Sequence, residues 1–258
     1  MNVKKASLIG IVGGTGPLAG FDCAEKIIDQ TIAEKDQDHI PLIVLSLPHL
    51  IKDRTAFLMH QEVDNPAYAI VDVIEQLDRI GAKVVGIPCN TAHAPSIFTV
   101  VTEELRKKLI SVTLINMIDE TMDFITSHLP YAGAIGVLAT RGTYESGIYS
   151  QALQQRGYKA VFPDNQRRKT IHQAIYDKKR GIKAKSIQVT KWAAERISKC
   201  IDYLYFQGSD CVILGCTEIP LAVPLITSKS VCLIDPTLIL ARALIRETYP
   251  KKLKEIKI

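Results

Sequence analysis

The chain has no long hydrophobic run and few aromatic residues. None of its apolar stretches approaches the roughly 20 residues that a membrane-spanning helix requires, and only 6% of its 258 residues are Phe, Trp or Tyr. Its six cysteines, at positions 23, 89, 200, 211, 216 and 232, lack the paired spacing of a zinc site. A chain of this length does not need disulfides for stability, so we expect free thiols, no metal site and a cytoplasmic location.

The chain also has only a small excess of positive charge. The net charge is +5, and basic residues cluster at positions 178–180 and 251–254. No aromatic residues interleave with these clusters, so we expect no nucleic-acid partner. Lys4 and Lys5 precede a short glycine-rich stretch without the apolar core or the cleavage site of a signal peptide. We interpret that stretch as the start of the first strand and expect no membrane association.

Short apolar runs alternate with segments of helical periodicity along the chain. The predicted strands are Leu8–Val12, Pro41–Leu47, Lys83–Pro88, Val112–Ile115, Ala134–Leu138, Lys159–Phe162, Cys211–Gly215 and Cys232–Ile234. The predicted helices are Leu18–Glu34, Pro66–Ile80, Pro95–Leu109, Tyr144–Arg156, Gln166–Lys179 and Ser186–Phe206, with a last one ending near residue 248. This alternation predicts an α/β fold built from parallel βαβ units.

The sequence contains an internal repeat. The segment Ile9–Gly16 resembles Ile135–Gly142 at an offset of 126 residues, and Cys89 and Cys216 end similar apolar runs at an offset of 127. Two matches at nearly one offset predict two pseudo-symmetric lobes, each a parallel sheet flanked by helices, with the active site in the cleft between them. We expect residues 1–115 and about 228–258 to form the first lobe, and residues 116–227 the second.

The glycine-rich turn Gly14–Ala19 fits the loose dinucleotide-binding pattern GxGxxA. The second predicted strand, however, ends at Leu47 without the acidic residue that would bind the ribose of NAD. We therefore favour another use of the turn, in which its backbone N–H groups and the helix that follows hold a carboxylate. The equivalent turn of the second lobe offers the hydroxyls of Thr140 and Thr143.

Cys89 and Cys216 are the candidate catalytic residues. Each follows a buried strand and precedes small polar residues, at the sheet edge where α/β proteins place their sites, and nearby helix N–H groups lower a thiol pKa. A cysteine protease uses one such thiol, and a redox pair favours the spacing CxxC. Racemisation needs a base on one face of a chiral carbon and an acid on the other, which two equivalent thiols supply. The remaining cysteines are interpreted as buried structural residues: Cys23, Cys200, Cys211 and Cys232.

Several motifs resemble, in order, those of the aspartate/glutamate racemase family. They are Gly13–Ala19, Asp53-Arg54-Thr55, Pro88–His93, Ala139–Thr143 and Gly215-Cys216-Thr217-Glu218. The match is closest to the aspartate racemases, because glutamate racemases carry an Asp-Ser turn after the first strand and Cys-Thr-His at the second cysteine. The resemblance implies a two-base reaction of Cys89 and Cys216 without pyridoxal phosphate or another cofactor. It also implies a dicarboxylic amino-acid substrate and, commonly, a homodimer.

The resemblance implies the substrate-binding residues as well. Arg54 and a lysine near Tyr176 would bind the side-chain carboxylate of the substrate, and counting back from Gly181 favours Lys179 over Lys178. Neighbouring polar residues would neutralise the α-carboxylate. The full predicted binding set is Thr15, Arg54, Asn90, Thr91, Thr140, Thr143, Lys179, Thr217 and Glu218.

The charged neighbours of the two thiols predict different protonation states. Glu218 would disfavour a thiolate at Cys216, whereas His93, if protonated, would favour one at Cys89. On the motif match we expect aspartate as substrate, with glutamate as the second choice. Two alternatives stay open: maleate isomerisation on the same scaffold and a non-catalytic amino-acid-binding protein. The paired thiols and the two cations argue against arylmalonate decarboxylation, which needs only one thiol.

Overall fold

The computed structural model describes residues 7–185, 188–226 and 231–256. The Lys4-Lys5 pair and the first residues of the predicted helix Ser186–Phe206 lie outside these ranges. Within them the strands are β1 Leu8–Gly13, β2 Leu42–Ser46, β3 Ala82–Gly86, β4 Thr113–Ile115, β5 Ala134–Ala139, β6 Lys159–Val161, β7 Cys211–Gly215 and β8 Cys232–Ile234. The α-helices are α1 Pro17–Gln30, α2 Arg54–Leu58, α3 Ala67–Ile80, α4 Pro95–Lys107, α5 Met117–His128, α6 Arg141–Glu145, α7 Ile148–Gln155, α8 Asn165–Tyr176, α9 Lys191–Phe206 and α10 Pro236–Thr248.

The strands form two parallel four-stranded sheets. Their orders are β2-β1-β3-β4 and β6-β5-β7-β8, so the second sheet repeats the topology of the first. The registers repeat too, because Gly10 lies opposite Val85 in one sheet and Gly136 lies opposite Val212 in the other. The predicted pseudo-symmetric α/β fold is therefore confirmed.

Helices cover both faces of each sheet. In the first lobe, α3 and α4 pack on one face and α1 and α10 on the other. In the second lobe, α8 and α9 cover one face, while α5 and α7 cover the opposite one. Every residue of β7 is buried, as expected of a central strand with helices on both sides.

Two helices were not predicted from the sequence, and one predicted helix is divided. Asp53 caps the short helix α2 through its side chain, and Asn116 caps α5 in the same way. The predicted helix Tyr144–Arg156 is interrupted at Gly147, whose φ of 67° is left-handed. It therefore forms the two helices α6 and α7.

The last strand was predicted in the first lobe but lies in the second. β8 pairs with β7, with Cys232 opposite Cys211, and so extends the second sheet. Helix α10 then crosses to the first lobe, where it packs against α1 and β3. The predicted boundary near residue 228 is therefore one strand too early, and we propose that it falls between β8 and α10. Residues 228–230 and 257–258 of that prediction lie outside the described ranges.

None of the helices in the described ranges has both the length and the apolar character that a membrane span requires.

Candidate active site

A small cavity lies where the central strands of the two sheets end. Its walls come from the segments after β1 and β3 in the first sheet and after β5 and β7 in the second. The lining residues are Thr15, Arg54, Thr55, Cys89, Asn90, Thr91, Thr140, Thr143, Tyr176, Lys183, Gly215, Cys216, Thr217 and Glu218. The cavity volume is about 20 Å³, which leaves space for little more than one water molecule.

Every residue of the predicted site lines this cavity except Lys179. Sequence reasoning did not name four of the lining residues as site residues: Thr55, Tyr176, Lys183 and Gly215. Both cysteines are buried, with 5% of Cys89 and 7% of Cys216 exposed, so the two thiols share one enclosed space.

The predicted binding residue Lys179 does not lie at the cavity. It is exposed in the loop after α8, and Lys183 lines the cavity instead. The loop turns back because Asp177 Oδ1 accepts hydrogen bonds from the backbone N–H groups of Lys179 and Arg180. Ile182 is then buried and donates its N–H to the carbonyl of Ala174. The following residue, Lys183, is thereby brought to the cavity.

Gly181 makes this turn possible. A Cβ atom there would lie 2.6 Å from the backbone N and O of Asp177, which is closer than any side chain tolerates. Lys179 was favoured by counting back from Gly181 with the spacing that the family resemblance implies, and the predicted helix extended to that lysine, whereas α8 ends at Tyr176. The sequence signal that could have identified Lys183 is the apolar residue before it, Ile182. Burial of Ile182 fixes the local direction of the chain, and Lys183 then faces the cavity.

Cys216 is a thiol that donates a hydrogen bond to a carboxylate. Its Sγ lies 3.0 Å from Glu218 Oε2, and Glu218 Oε1 lies 2.8 Å from Lys183 Nζ. Burial raises the pKa of Cys216 well above its ordinary value, and the charge of Glu218 adds to this increase. Burial, the largest single effect, opposes ionisation of Glu218, but Lys183, the hydrogen bond from Cys216 and the charge of Arg54 together lower the pKa of Glu218. At Cys216, burial and the charge of Glu218 therefore raise the thiol pKa by more than the backbone N–H groups lower it.

We expect Glu218→Gln to lower the pKa of Cys216, because the substitution removes the negative charge that disfavours a thiolate. The measurement is the pH dependence of Cys216 alkylation by iodoacetamide, quantified by mass spectrometry. Glu25→Gln, at an exposed position of α1, is the matched control. If the Cys216 pKa were the same in both variants, Glu218 would not control the thiol.

Cys89 has a different electrostatic environment. Its Sγ lies 3.2 Å from Thr91 Oγ1, and it neighbours the guanidinium of Arg54. Burial, the largest single effect, acts to lower the pKa of Arg54, but its interactions with Cys89, Asp53 and Tyr176 together raise it. A permanent cation thus stands beside Cys89, while a carboxylate is hydrogen-bonded to Cys216.

His93 does not supply the positive charge that was considered for it. Burial lowers the pKa of His93 to about 4, so the ring is neutral near pH 7. Its Nε2 accepts a hydrogen bond from the Met117 N–H at 3.2 Å, which leaves the ring proton on Nδ1. Nδ1 lies 2.9 Å from the carbonyl oxygen of Cys89 and donates to it. The hypothesis of a protonated His93 is wrong, and the ring instead fixes the backbone at Cys89.

Arg54 anchors the glycine-rich turn. Its guanidinium donates to the carbonyl of Thr15, and Nη1 donates to the carbonyl of Lys52 at 3.1 Å. The position of Arg54 is set by α2, which begins at this residue because Asp53 Oδ1 accepts the N–H of Ala56 at 2.8 Å. Arg54 is therefore both a buried cation and a structural clamp.

Hydrogen bonds cross the cleft at one side of the cavity. Thr55 Oγ1 lies 3.3 Å from Thr140 Oγ1, which in turn lies 3.2 Å from Thr143 Oγ1. The hydroxyl of Tyr176 lies 3.3 Å from Thr55 Oγ1 and 3.4 Å from Asp53 Oδ2. These contacts hold the two lobes together around the thiols, so the structure represents a closed arrangement.

Three buried polar atoms of the cavity have no hydrogen-bond partner within the described ranges. They are Thr15 Oγ1, Arg54 Nε and Asn90 Nδ2. Arg54 Nε and Asn90 Nδ2 can only donate, and a threonine hydroxyl can donate as well. Because a buried unsatisfied donor costs roughly 1–3 kcal/mol, this set is suited to a ligand rich in acceptor oxygens, such as a carboxylate.

The part of the chain that the structure describes contains no group of three or more His, Cys, Asp or Glu residues arranged to hold a metal ion.

Comparison with known proteins identifies the family of this chain. Residues 12–244 match the sequence model of the Asp/Glu/hydantoin racemase family. The broad-specificity amino-acid racemase RacX of Bacillus subtilis (strain 168) is 28% identical over 250 residues, which are 94% of this chain and 98% of that protein. The glutamate racemase of Ectopseudomonas mendocina (strain ymp) is 30% identical over 177 residues, which are 67% of this chain and 61% of that protein.

A solved structure agrees with these sequence matches. Picrophilus torridus aspartate racemase is similar with a TM-score of 0.76 and 30% sequence identity, and the similarity covers 96% of each chain. Since the family model spans nearly the whole chain and the fold is shared, this chain belongs to the Asp/Glu/hydantoin racemase family.

Proposed function

We propose that this protein is a cofactor-independent racemase that interconverts L- and D-aspartate, with Cys89 and Cys216 as its two acid–base groups. The observation that carries the proposal is that two buried cysteines, from equivalent turns of the two lobes, line one enclosed cavity. The names of relatives support the reaction type, because proteins similar to this chain are called amino-acid, aspartate and glutamate racemases.

The two thiols begin the reaction in different protonation states. In one direction a thiolate at Cys89 takes the Cα proton, and the electron pair of the C–H bond remains on the substrate. The thiol of Cys216 then gives its proton to the opposite face of Cα and becomes a thiolate. In the other direction the two roles exchange. The high pKa of Cys216 and the cation beside Cys89 support this assignment of the resting enzyme.

The protein must also stabilise the carbanion without a cofactor. Negative charge on Cα spreads into the α-carboxylate, so donors that point at that carboxylate lower the barrier. Asn90 Nδ2 and Thr15 Oγ1 are buried donors of the cavity without partners in the described ranges. We propose that they bind the α-carboxylate, together with the hydroxyls of Thr91, Thr140 and Thr217.

Two cations favour a substrate with a second carboxylate. Arg54 and Lys183 both line the cavity, and a guanidinium or an ammonium binds a carboxylate through strong charge-assisted hydrogen bonds. We favour aspartate over glutamate because of the similarity to an aspartate racemase. One methylene changes substrate preference by only about 1–3 kcal/mol. Since the closed cavity is smaller than any amino acid, the lobes must separate for substrate to bind.

We expect Lys183→Met to raise KM for aspartate by about 10- to 100-fold, because it removes a charged partner of the side-chain carboxylate. Lys179→Met is the matched control, since Lys179 is exposed outside the cavity and its loss should leave KM unchanged. Steady-state kinetics of both variants with L-aspartate provide the measurement. A larger effect at Lys179 than at Lys183 would reverse the assignment.

The experiment that tests the function is proton NMR of L-aspartate in D2O with the purified protein and no added cofactor. We expect the Cα–H signal to disappear and D-aspartate to form. Exchange with glutamate but not with aspartate would correct the substrate. If neither amino acid exchanged and maleate were converted to fumarate, maleate isomerisation would replace racemisation. The predicted homodimer and cytoplasmic location stay predictions.

A further inference from the structure

Tyr149 contacts the turns that carry both cysteines. It belongs to α7 and is one of the largest completely buried side chains, with 1% of its surface exposed. It does not line the cavity, and no sequence motif singled it out. Its hydroxyl contacts Asn90, the residue after Cys89, and its ring contacts Gly215, the residue before Cys216.

The hydroxyl of Tyr149 fixes the orientation of the Asn90 amide. It lies 2.5 Å from Asn90 Oδ1, and an amide carbonyl oxygen can only accept a hydrogen bond. The tyrosine therefore donates to the carbonyl side of the amide. The other side, Nδ2, is buried without a partner in the described ranges, and Asn90 lines the cavity. An amide turned by 180° would present an acceptor where the α-carboxylate needs a donor.

The Tyr149 hydroxyl keeps its proton at all working pH values. Burial raises the pKa of Tyr149 well above its ordinary value, and the nearby Asp235 and Cys216 add to the increase. The hydrogen bond to Asn90 therefore has the same donor whichever thiol is ionised, so the amide keeps its orientation in both directions of the reaction.

The ring of Tyr149 limits how closely the second cysteine turn can approach. A Cβ atom at Gly215 would lie only 3.1 Å from Cε2 of Tyr149, so the glycine allows β7 to pack directly on the ring. One rigid side chain thus touches the neighbours of both thiols. Aromatic rings are well suited to this role, because they have few rotatable bonds and a fixed width.

We propose that Tyr149 is a positioning residue, which orients the Asn90 amide toward the substrate carboxylate and sets the separation between the two cysteine turns. This inference rests on the proposed function, because Asn90 acts on a carboxylate only if an amino acid occupies the cavity. It assigns Tyr149 a role that does not require contact with the substrate.

The test is a double-mutant cycle with Tyr149→Phe, Asn90→Ala and the two combined. Tyr149→Phe keeps the ring and removes only the hydroxyl. We expect it to reduce kcat/KM for L-aspartate by about tenfold, mainly through KM, and Asn90→Ala to do the same or more. In the Asn90→Ala background, Tyr149→Phe should then change kcat/KM by less than about twofold, because the two residues act as a unit. A further tenfold loss in that background, or no loss in the single variant, would overturn the proposal.

Two controls separate positioning from stability and from failure of the proposed function. Tyr158→Phe removes a hydroxyl that contacts Thr126 outside the cavity, and it should leave kcat/KM unchanged. Thermal unfolding of each variant shows whether the fold is intact. Binding of L-aspartate by calorimetry is the readout that does not depend on catalysis. If wild type binds aspartate without racemising it, the function fails, while a tenfold weaker Kd in Tyr149→Phe still supports the positioning role. If wild type binds no aspartate, both proposals are overturned.

Discussion

Replacement of either Cys89 or Cys216 by serine is expected to reduce kcat for aspartate racemisation by about 10³-fold or more. In the proposed mechanism each thiol performs one of the two proton transfers, and a positioned acid or base typically contributes 10²- to 10⁴-fold. A serine hydroxyl is a far weaker acid than a thiol and does not ionise in its place. Substrate binding should persist, because serine preserves the shape of the site. The measurement is polarimetric racemisation from both enantiomers, alongside calorimetric binding of aspartate.

The same two variants should differ in isotope exchange. Each keeps one thiol, and that thiol can reach only one face of Cα. One variant should therefore exchange the Cα proton of L-aspartate with D2O, and the other that of D-aspartate. Cys232→Ser is the control, because Cys232 lies in β8 away from the cavity and should leave both activities intact. Equal exchange of both enantiomers by either variant would contradict a two-base mechanism.

The strands were predictable because their physical signal is local. A central parallel strand is buried on both faces, so its apolar run is nearly continuous and ends abruptly at the site. Cys211–Gly215 was predicted with the bounds that the structure has. The assignment of β8 to a lobe was not local in this sense. It depends on which sheet has a free edge for the strand, and the three residues of β8 carry no information about which sheet that is.

The errors at the site have a common physical origin. Lys179 was chosen by counting back from Gly181 with the spacing that the family resemblance implies, but α8 ends at Tyr176 and the tight turn at Gly181 then changes the direction of the chain. His93 was given a charge because its distance from Cys89 along the chain is short, but burial keeps the ring neutral. Motif matching locates residues along the sequence, whereas protonation and side-chain direction depend on tertiary packing.

Arg54 combines a structural and an electrostatic role, which two substitutions at this position can separate. Its guanidinium donates to the carbonyls of Thr15 and Lys52, and its charge neighbours Cys89. Lysine keeps a positive charge but cannot reproduce the planar arrangement of donors. Methionine removes both the charge and the donors while filling part of the volume. The two variants therefore distinguish the need for a cation from the need for an anchored turn.

We expect Arg54→Met to reduce kcat/KM for aspartate by about 10³-fold and to lower the free energy of unfolding by roughly 1.5–3 kcal/mol per hydrogen bond lost to a charged donor. Arg54→Lys should lose similar stability but recover part of the activity, because a cation remains beside Cys89. Arg141→Met is the control, since Arg141 lies in the second lobe's counterpart of the glycine-rich turn that Arg54 anchors, but it is exposed and does not line the cavity. Kinetics and denaturant unfolding of the three variants give the answer. Equal activity in Arg54→Lys and Arg54→Met would mean that the anchored turn, and not the positive charge, is what catalysis requires.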